Sequence, residues 1–101
     1  MNFYIYPMDT ENTEPTIEQV DEAGEIIVKE LAKEYLSKGA WATIAFHYQE
    51  KDKTGNFGEP KVSLRRFQKI SGVYKQRSKF NVSSKAQAEQ IIEVLKKWYE
   101  I

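Results

Sequence analysis

Between Lys61 and Ala88 the chain carries no carboxylate, yet Lys61, Arg65, Arg66, Lys69, Lys75, Arg77, Lys79 and Lys85 all fall there, interleaved with Phe67, Tyr74 and Phe80. Guanidinium and ammonium groups neutralise phosphates, and flat rings between them can stack on bases, so the mixture suits a polyanion with exposed bases. The formal net charge of zero hides this segment, because residues 1–40 hold nine acids against three bases while residues 61–101 hold three against ten. Segregation of this kind predicts two electrostatic faces.

Other chemistry is thinly represented. His47 is the single histidine, and a dyad with Asp52 or Glu59 has no spacing that fixes the geometry general acid–base catalysis needs. Glu50, Asp52 and Glu59 could offer oxygen ligands to a hard cation, but they lack the regular spacing of a calcium loop and its closing glutamate. The glycines of Thr54-Gly55-Asn56-Phe57-Gly58 match neither a dinucleotide fingerprint nor a Walker loop, and read as a hairpin tip. With no cysteine, thiolate catalysis, disulfides and cysteine-based zinc sites are excluded. The expectation is a protein that is not an enzyme, with no catalytic residue, no metal and no cofactor.

The elements that must carry the basic segment follow from periodicity. Phe3 to Tyr6, ended by Pro7, reads as a brief strand or extended arm. Thr16 and Gln19 form a capping-box pattern, Glu14 and Glu18 suit a helix N-terminus, and Ile17, Val20, Gly24, Ile27, Leu31 and Tyr35 recur at steps of three and four. That spacing predicts a long amphipathic helix from Thr16 to Lys38 with an acidic outer face, stopped at Gly39. The period then becomes two: Ile44, Phe46 and Tyr48 on one face of a strand over 41–49, with Trp41, Thr43 and His47 on the other. A long connection follows over 49–60. A second strand runs from Lys61 to Ile70 with a bulge near Arg65-Arg66-Phe67, a tight turn sits at Ser71-Gly72, and a third strand runs from Val73 to Val82. Alternation in that last strand puts Lys75, Arg77 and Lys79 on one face and Tyr74, Phe80 and Val82 on the other. Ser84 and Gln87 cap a final helix whose stripe is Ala88, Ile91, Ile92, Leu95 and Trp98.

The predicted fold is therefore α+β: an N-terminal amphipathic helix, a curved antiparallel sheet of three to four strands with one face covered and one free, and a C-terminal helix. At 101 residues it is read as a single domain over 1–101, small enough that association with a second copy would add needed burial. No apolar run approaches the roughly 20 residues of a membrane span and no signal-peptide pattern opens the chain, so the expected location is intracellular, in the cytoplasm.

The stretch from Lys61 to Trp98 resembles the single-stranded-DNA-binding superfamily of the transcriptional coactivator positive cofactor four. Leu64-Arg65-Arg66-Phe67 stands in place of that family's Ile-Arg-aromatic segment. Ser78-Lys79-Phe80-Asn81-Val82 replaces its Lys-Gly-Ile-like segment, and Ser83-Ser84-Lys85-Ala86-Gln87 its helix cap. The resemblance covers about the last 60 residues of the chain. It implies a curved sheet, a dimer made through the C-terminal helices and single-stranded DNA across the basic sheet surfaces. Ser78-Lys79-Phe80 replaces the family's glycine before the last strand, and the acidic segment is extra. A rival resemblance, to the arm-type DNA-binding domain of tyrosine-type phage integrases, rests on Trp41, Thr54-Gly55, Phe80 and Ser84-Lys85 to Ala88, and implies a sheet entering a duplex groove.

Together these readings give a module for nucleic acid, single-stranded DNA first, bound with weak sequence preference as a homodimer in transcription regulation. Arg65, Arg66, Lys75, Arg77 and Lys79 would neutralise phosphates while Trp41 and Tyr74 stack. The acidic N-terminal helix would shield that surface, mimic nucleic acid or bind a protein partner. A protein-interaction module whose basic sheet meets an acidic partner is the alternative from another class.

Overall fold

The computed structural model describes residues 14–101 together with the backbone of Tyr6–Pro7. In chain order it has β1 (Tyr6–Pro7), β2 (Gln19–Val20), β3 (Ile26–Ser37), β4 (Trp41–Glu50), β5 (Lys61–Ile70), β6 (Val73–Val82) and α1 (Lys85–Tyr99). All strands pair antiparallel with their sequence neighbours in the order β1-β2-β3-β4-β5-β6, a meander that curls on itself. Of the brief strand expected over Phe3–Tyr6, Tyr6 belongs to β1, and the rest lies outside the described residues.

The expected helix over Thr16–Lys38 is absent; that stretch is an extended segment, a tight turn and the longest strand of the sheet. Asp21 explains the turn. Its carboxylate accepts the backbone N–H groups of Ala23 at 2.9 Å and Glu25 at 3.0 Å, while the Gly24 N–H donates to the Asp21 carbonyl at 3.0 Å. Gly24 sits at φ 83°, which costs glycine little and ends any helical path.

Two bulges set the faces of β3. Register with β4 slips between Glu30 and Ala32 and again between Tyr35 and Ser37, so Leu31 and Leu36 are extra residues and the parity of the strand reverses at each. Val28, Glu30, Lys33 and Tyr35 consequently share the inner face, so of Ile27, Leu31 and Tyr35, whose spacing predicted a helix, only Tyr35 is on it.

Strands β4, β5 and β6 and helix α1 lie where periodicity placed them. On the inner face of β4, Ala42, Ile44, Phe46 and Tyr48 are buried in alternation. Phe46 and Phe67 meet edge-to-face at 6.3 Å between centroids, and with Ile17, Ile44 and Tyr48 they make the core, flanked by Val28, Tyr35 and Tyr74. The Ser71-Gly72 turn has φ 52° and 80°, both positive, as a two-residue hairpin matched to strand twist requires.

What covers the inner face is the extended chain over 14–18. Ile17 inserts into the core at 1% exposure. The flanking backbone is clasped by β3: the Thr16 hydroxyl donates to the Glu30 carboxylate at 2.8 Å, the Ile17 N–H donates to it at 3.3 Å, and the Lys33 ammonium donates to the Pro15 carbonyl at 2.6 Å. The charged residues of β3 face inward because the layer packed on them is a strand-like backbone with donors and acceptors of its own.

Helix α1 is the other departure from a covered sheet. Ser84 caps it, accepting the Gln87 N–H at 3.1 Å while the Gln87 side chain accepts the Ser83 N–H at 2.8 Å. It has no buried residue and meets only β6 among the elements.

Candidate nucleic-acid interface

Residues directly opposite one another on paired strands share a face, so the register of β4, β5 and β6 locates every predicted contact. Trp41 lies opposite Gln68, which lies opposite Lys75, and Thr43 lies opposite Arg66, which lies opposite Ser78. The Arg77 guanidinium donates through Nε to the Gln68 side chain at 3.1 Å. Trp41, Arg66, Lys75 and Arg77 therefore form one cluster on the outer face. Within it the Arg66 guanidinium carbon stands 4.4 Å from the centre of the Trp41 ring, the geometry of a cation–π stack.

Arg65 and Lys79 lie on the other side. They are opposite one another, on the inner face, next to the Ser63–Asn81 pair. The expectation that Lys75, Arg77 and Lys79 share a face is thus corrected, as is the grouping of Tyr74 with Phe80 and Val82. The cause is a bulge: pairing steps from Arg66↔Ser78 to Phe67↔Gln76, leaving Arg77 as the extra residue and reversing the parity of β6 beyond it. The disruption expected near Arg65-Arg66-Phe67 exists, but its added residue belongs to the partner strand.

Tyr74 belongs to the inner layer rather than to a stacking surface. It packs on the core, donates from its hydroxyl to the Gly39 carbonyl at 3.1 Å, and has the Lys69 ammonium 5.4 Å from its ring centre. Trp41, at 41% exposure, is the available ring.

The electrostatics divide the basic residues into satisfied and unsatisfied groups. Lys61 pairs with Glu50 at 3.1 Å, Lys51 with Glu25 at 3.5 Å and Lys33 with Glu30 at 3.8 Å. Among the described residues, Arg65, Arg66, Lys69, Lys75, Arg77 and Lys79 have no carboxylate within ion-pair distance, and neither do Lys29, Lys38, Lys53, Lys85, Lys96 and Lys97. The first six belong to β5 and β6, where no carboxylate is interspersed, and they are split between the two faces of the sheet. On the inner face Glu14 accepts the Tyr35 hydroxyl at 2.5 Å, and this bond, helped by Lys38, Lys33 and Lys69, holds its carboxyl below the usual value. Arg65 is partly desolvated, which pulls its pKa down.

Three amide side chains escaped the sequence reading. Gln68, Gln76 and Asn81 each accept from a neighbour, and alternating amides between cations were the available signal. His47 is exposed on the outer face opposite Ala32 and Val62, away from Asp52, whose carboxylate is occupied by Thr54 and Asn56 within its own loop. No group of three His, Cys, Asp or Glu among the described residues could hold a metal ion, and no described helix is long and apolar enough to cross a membrane.

No family model matches the chain, and neither a curated protein nor a solved structure matches it.

Proposed function

We propose that this protein binds single-stranded nucleic acid along strands β5 and β6, with the outer cluster of Trp41, Arg66, Lys75 and Arg77 as the principal contact. The observation that carries this reading is the outer-face cluster of three cations without carboxylate partners, Arg66, Lys75 and Arg77, around the exposed Trp41 indole. An ion-paired cation gains little from a phosphate, whereas an unpaired one releases the phosphate's counterions on contact. The indole supplies a base-stacking surface that accepts any base, so weak sequence preference follows. A duplex hides its base faces, which makes the single strand the better partner for Trp41. This agrees with what the resemblance to the positive cofactor four superfamily implies.

The same reading includes a homodimer. Ile92, Leu95 and Trp98 are 54%, 44% and 73% exposed along one side of α1, and Phe80 is half-exposed on the outer face of β6. A helix with an apolar stripe that meets only β6 among the described elements is suited to a second copy that presents the same stripe. The acidic segment over 14–18 has its role in closing the core and is no longer a candidate helix for a protein partner.

Anisotropy titrations of labelled oligothymidine and of duplex DNA across a salt series test the binding reading. Affinity for the single strand exceeds that for the duplex, log K falls linearly with log salt, and Lys75→Gln with Arg77→Gln lowers the steepness of the fall by about 0.7 for every phosphate that is no longer neutralised. His47→Ala leaves binding unchanged. Absence of binding to either nucleic acid at low salt overturns the reading in favour of a protein-interaction module.

A further inference from the structure

The inner-face pair Arg65 and Lys79 has no function in the outer contact, and its surroundings are unusual for two cations. Like charges directly opposite across a strand pair destabilise the sheet. Among the described residues no carboxylate lies within ion-pair distance of either, and Glu50, itself paired with Lys61, acts on Arg65 only at longer range.

The hydroxyl and amide oxygens around Arg65 are engaged within the sheet. The Arg65 Nε–H donates to the Ser63 hydroxyl at 3.0 Å and Nη1–H to the Gln76 side-chain oxygen at 3.0 Å, while the buried Ser63 hydroxyl donates to the Asn81 side-chain oxygen at 2.7 Å. These bonds fix the guanidinium plane, turning the Gln76 oxygen toward it and the Asn81 oxygen toward the Ser63 hydroxyl. The nitrogen groups left without a partner are all donors: the rest of the Arg65 fork, the Lys79 ammonium, and the amide nitrogens of Gln76 and Asn81. A fixed fork beside an ammonium and two amide N–H₂ groups is complementary to a phosphoryl group, which is acceptor-only.

Access is open. β6 ends the sheet and its outer edge is unpaired, and α1 meets no other strand. The outer cluster and the inner donor set therefore lie back to back on β5 and β6, separated by one free strand edge.

We propose that the bound single strand wraps the free edge of β6, stacking on Trp41 on the outer face and placing a backbone phosphate between Arg65 and Lys79 on the inner face. The inference rests on the outer-face reading above and adds the path of the strand and a second phosphate subsite. It makes the site longer than one face, so oligomers too short to turn the edge engage only the outer cluster.

The test compares a four-nucleotide with a sixteen-nucleotide oligothymidine in a salt series, for the parent protein, Lys79→Gln and Arg77→Gln. Lys79 is exposed, so its replacement leaves the core intact; Arg65→Gln, with circular dichroism as a check of folding, is the second inner variant. Wrapping predicts that Lys79→Gln leaves the short oligomer unaffected, weakens the long one several-fold and flattens its log K against log salt by about 0.7, the value for one single-strand phosphate contact. Arg77→Gln weakens both. If Arg77→Gln weakens both and Lys79→Gln and folded Arg65→Gln leave the long oligomer unchanged, the outer reading stands and wrapping is overturned. If no variant changes either titration, the outer reading has failed as well. Inorganic phosphate alone distinguishes the source: an Arg65 Hε shift in the NMR spectrum with phosphate but none with the long oligomer assigns the subsite to a free anion and overturns wrapping.

Discussion

The Arg66 guanidinium covers the Trp41 ring at 4.4 Å from a neighbouring strand, diagonal to it in the register. The guanidinium covers part of the indole, and Trp41 remains 41% exposed. Trp41→Ala is expected to cost about 1–3 kcal/mol of single-strand affinity, the range for one base stacked on an aromatic side chain. In a Trp98→Phe background Trp41 is the sole indole, and its fluorescence should quench on titration with oligothymidine. An unchanged spectrum at saturating oligomer would remove the stacking role.

The inner clasp predicts a stability effect with no counterpart in binding. Ile17 is almost fully buried at the centre of the core, so Ile17→Ala should lower unfolding free energy by about 2–5 kcal/mol in urea. Thr16→Ala leaves the Glu30 carboxylate short of one donor and should cost about 1–3 kcal/mol. A Thr16→Ala variant as stable as the parent would show that the Thr16 hydroxyl adds nothing to the hold of Ile17 and the Lys33–Pro15 bond.

Glu14 and Tyr35 predict a pH window. The folded-state pKa of Glu14 lies below its ordinary value of 4.5, chiefly through the Tyr35 hydroxyl bond. Its contribution is therefore complete above the ordinary value and lost as pH falls through the folded one. The pKa of Tyr35 is raised well above its ordinary value of 10.0, first by burial and then by Glu14, so its contribution is complete below 10.0 and lost as pH rises through the folded value. Urea midpoints should decline at both extremes, and Glu14→Gln should flatten the acid decline and advance the tyrosinate absorbance change to lower pH. A late-titrating tyrosine that persists in Glu14→Gln would assign the shift to burial only.

The bare stripe of α1 predicts association. Leu95→Glu should convert a dimer to a monomer in sedimentation equilibrium while leaving the sheet's circular dichroism intact, because α1 contributes nothing to the core. A parent chain that sediments as a monomer at high concentration would contradict the dimer.

Strands β4 to β6 and helix α1 were legible because their signals are local: alternation around Ile44, Phe46 and Tyr48, the Ser71-Gly72 turn, the Ser84 cap. The first half misled because periodicity records side-chain parity, and the two bulges of β3 alter parity without any distinctive residue at Leu31 or Leu36. Asp21 with Gly24 was the readable contrary sign, since an Asx-supported turn competes with a helix. The basic residues were legible as a group and not as a surface. Arg77, one more bulged residue, decides which cations face which way, and pairing with a second strand is what reveals it.

The unpaired rim of β6 has a consequence for the behaviour of the protein in solution. Ten residues of exposed strand backbone are a template for sheet extension between molecules, and the lysines and arginine spaced along it oppose that through mutual repulsion. Any polyanion that neutralises them also removes the safeguard, so saturation should bring the protein closer to lateral aggregation, with turbidity rising at charge equivalence and clearing in salt.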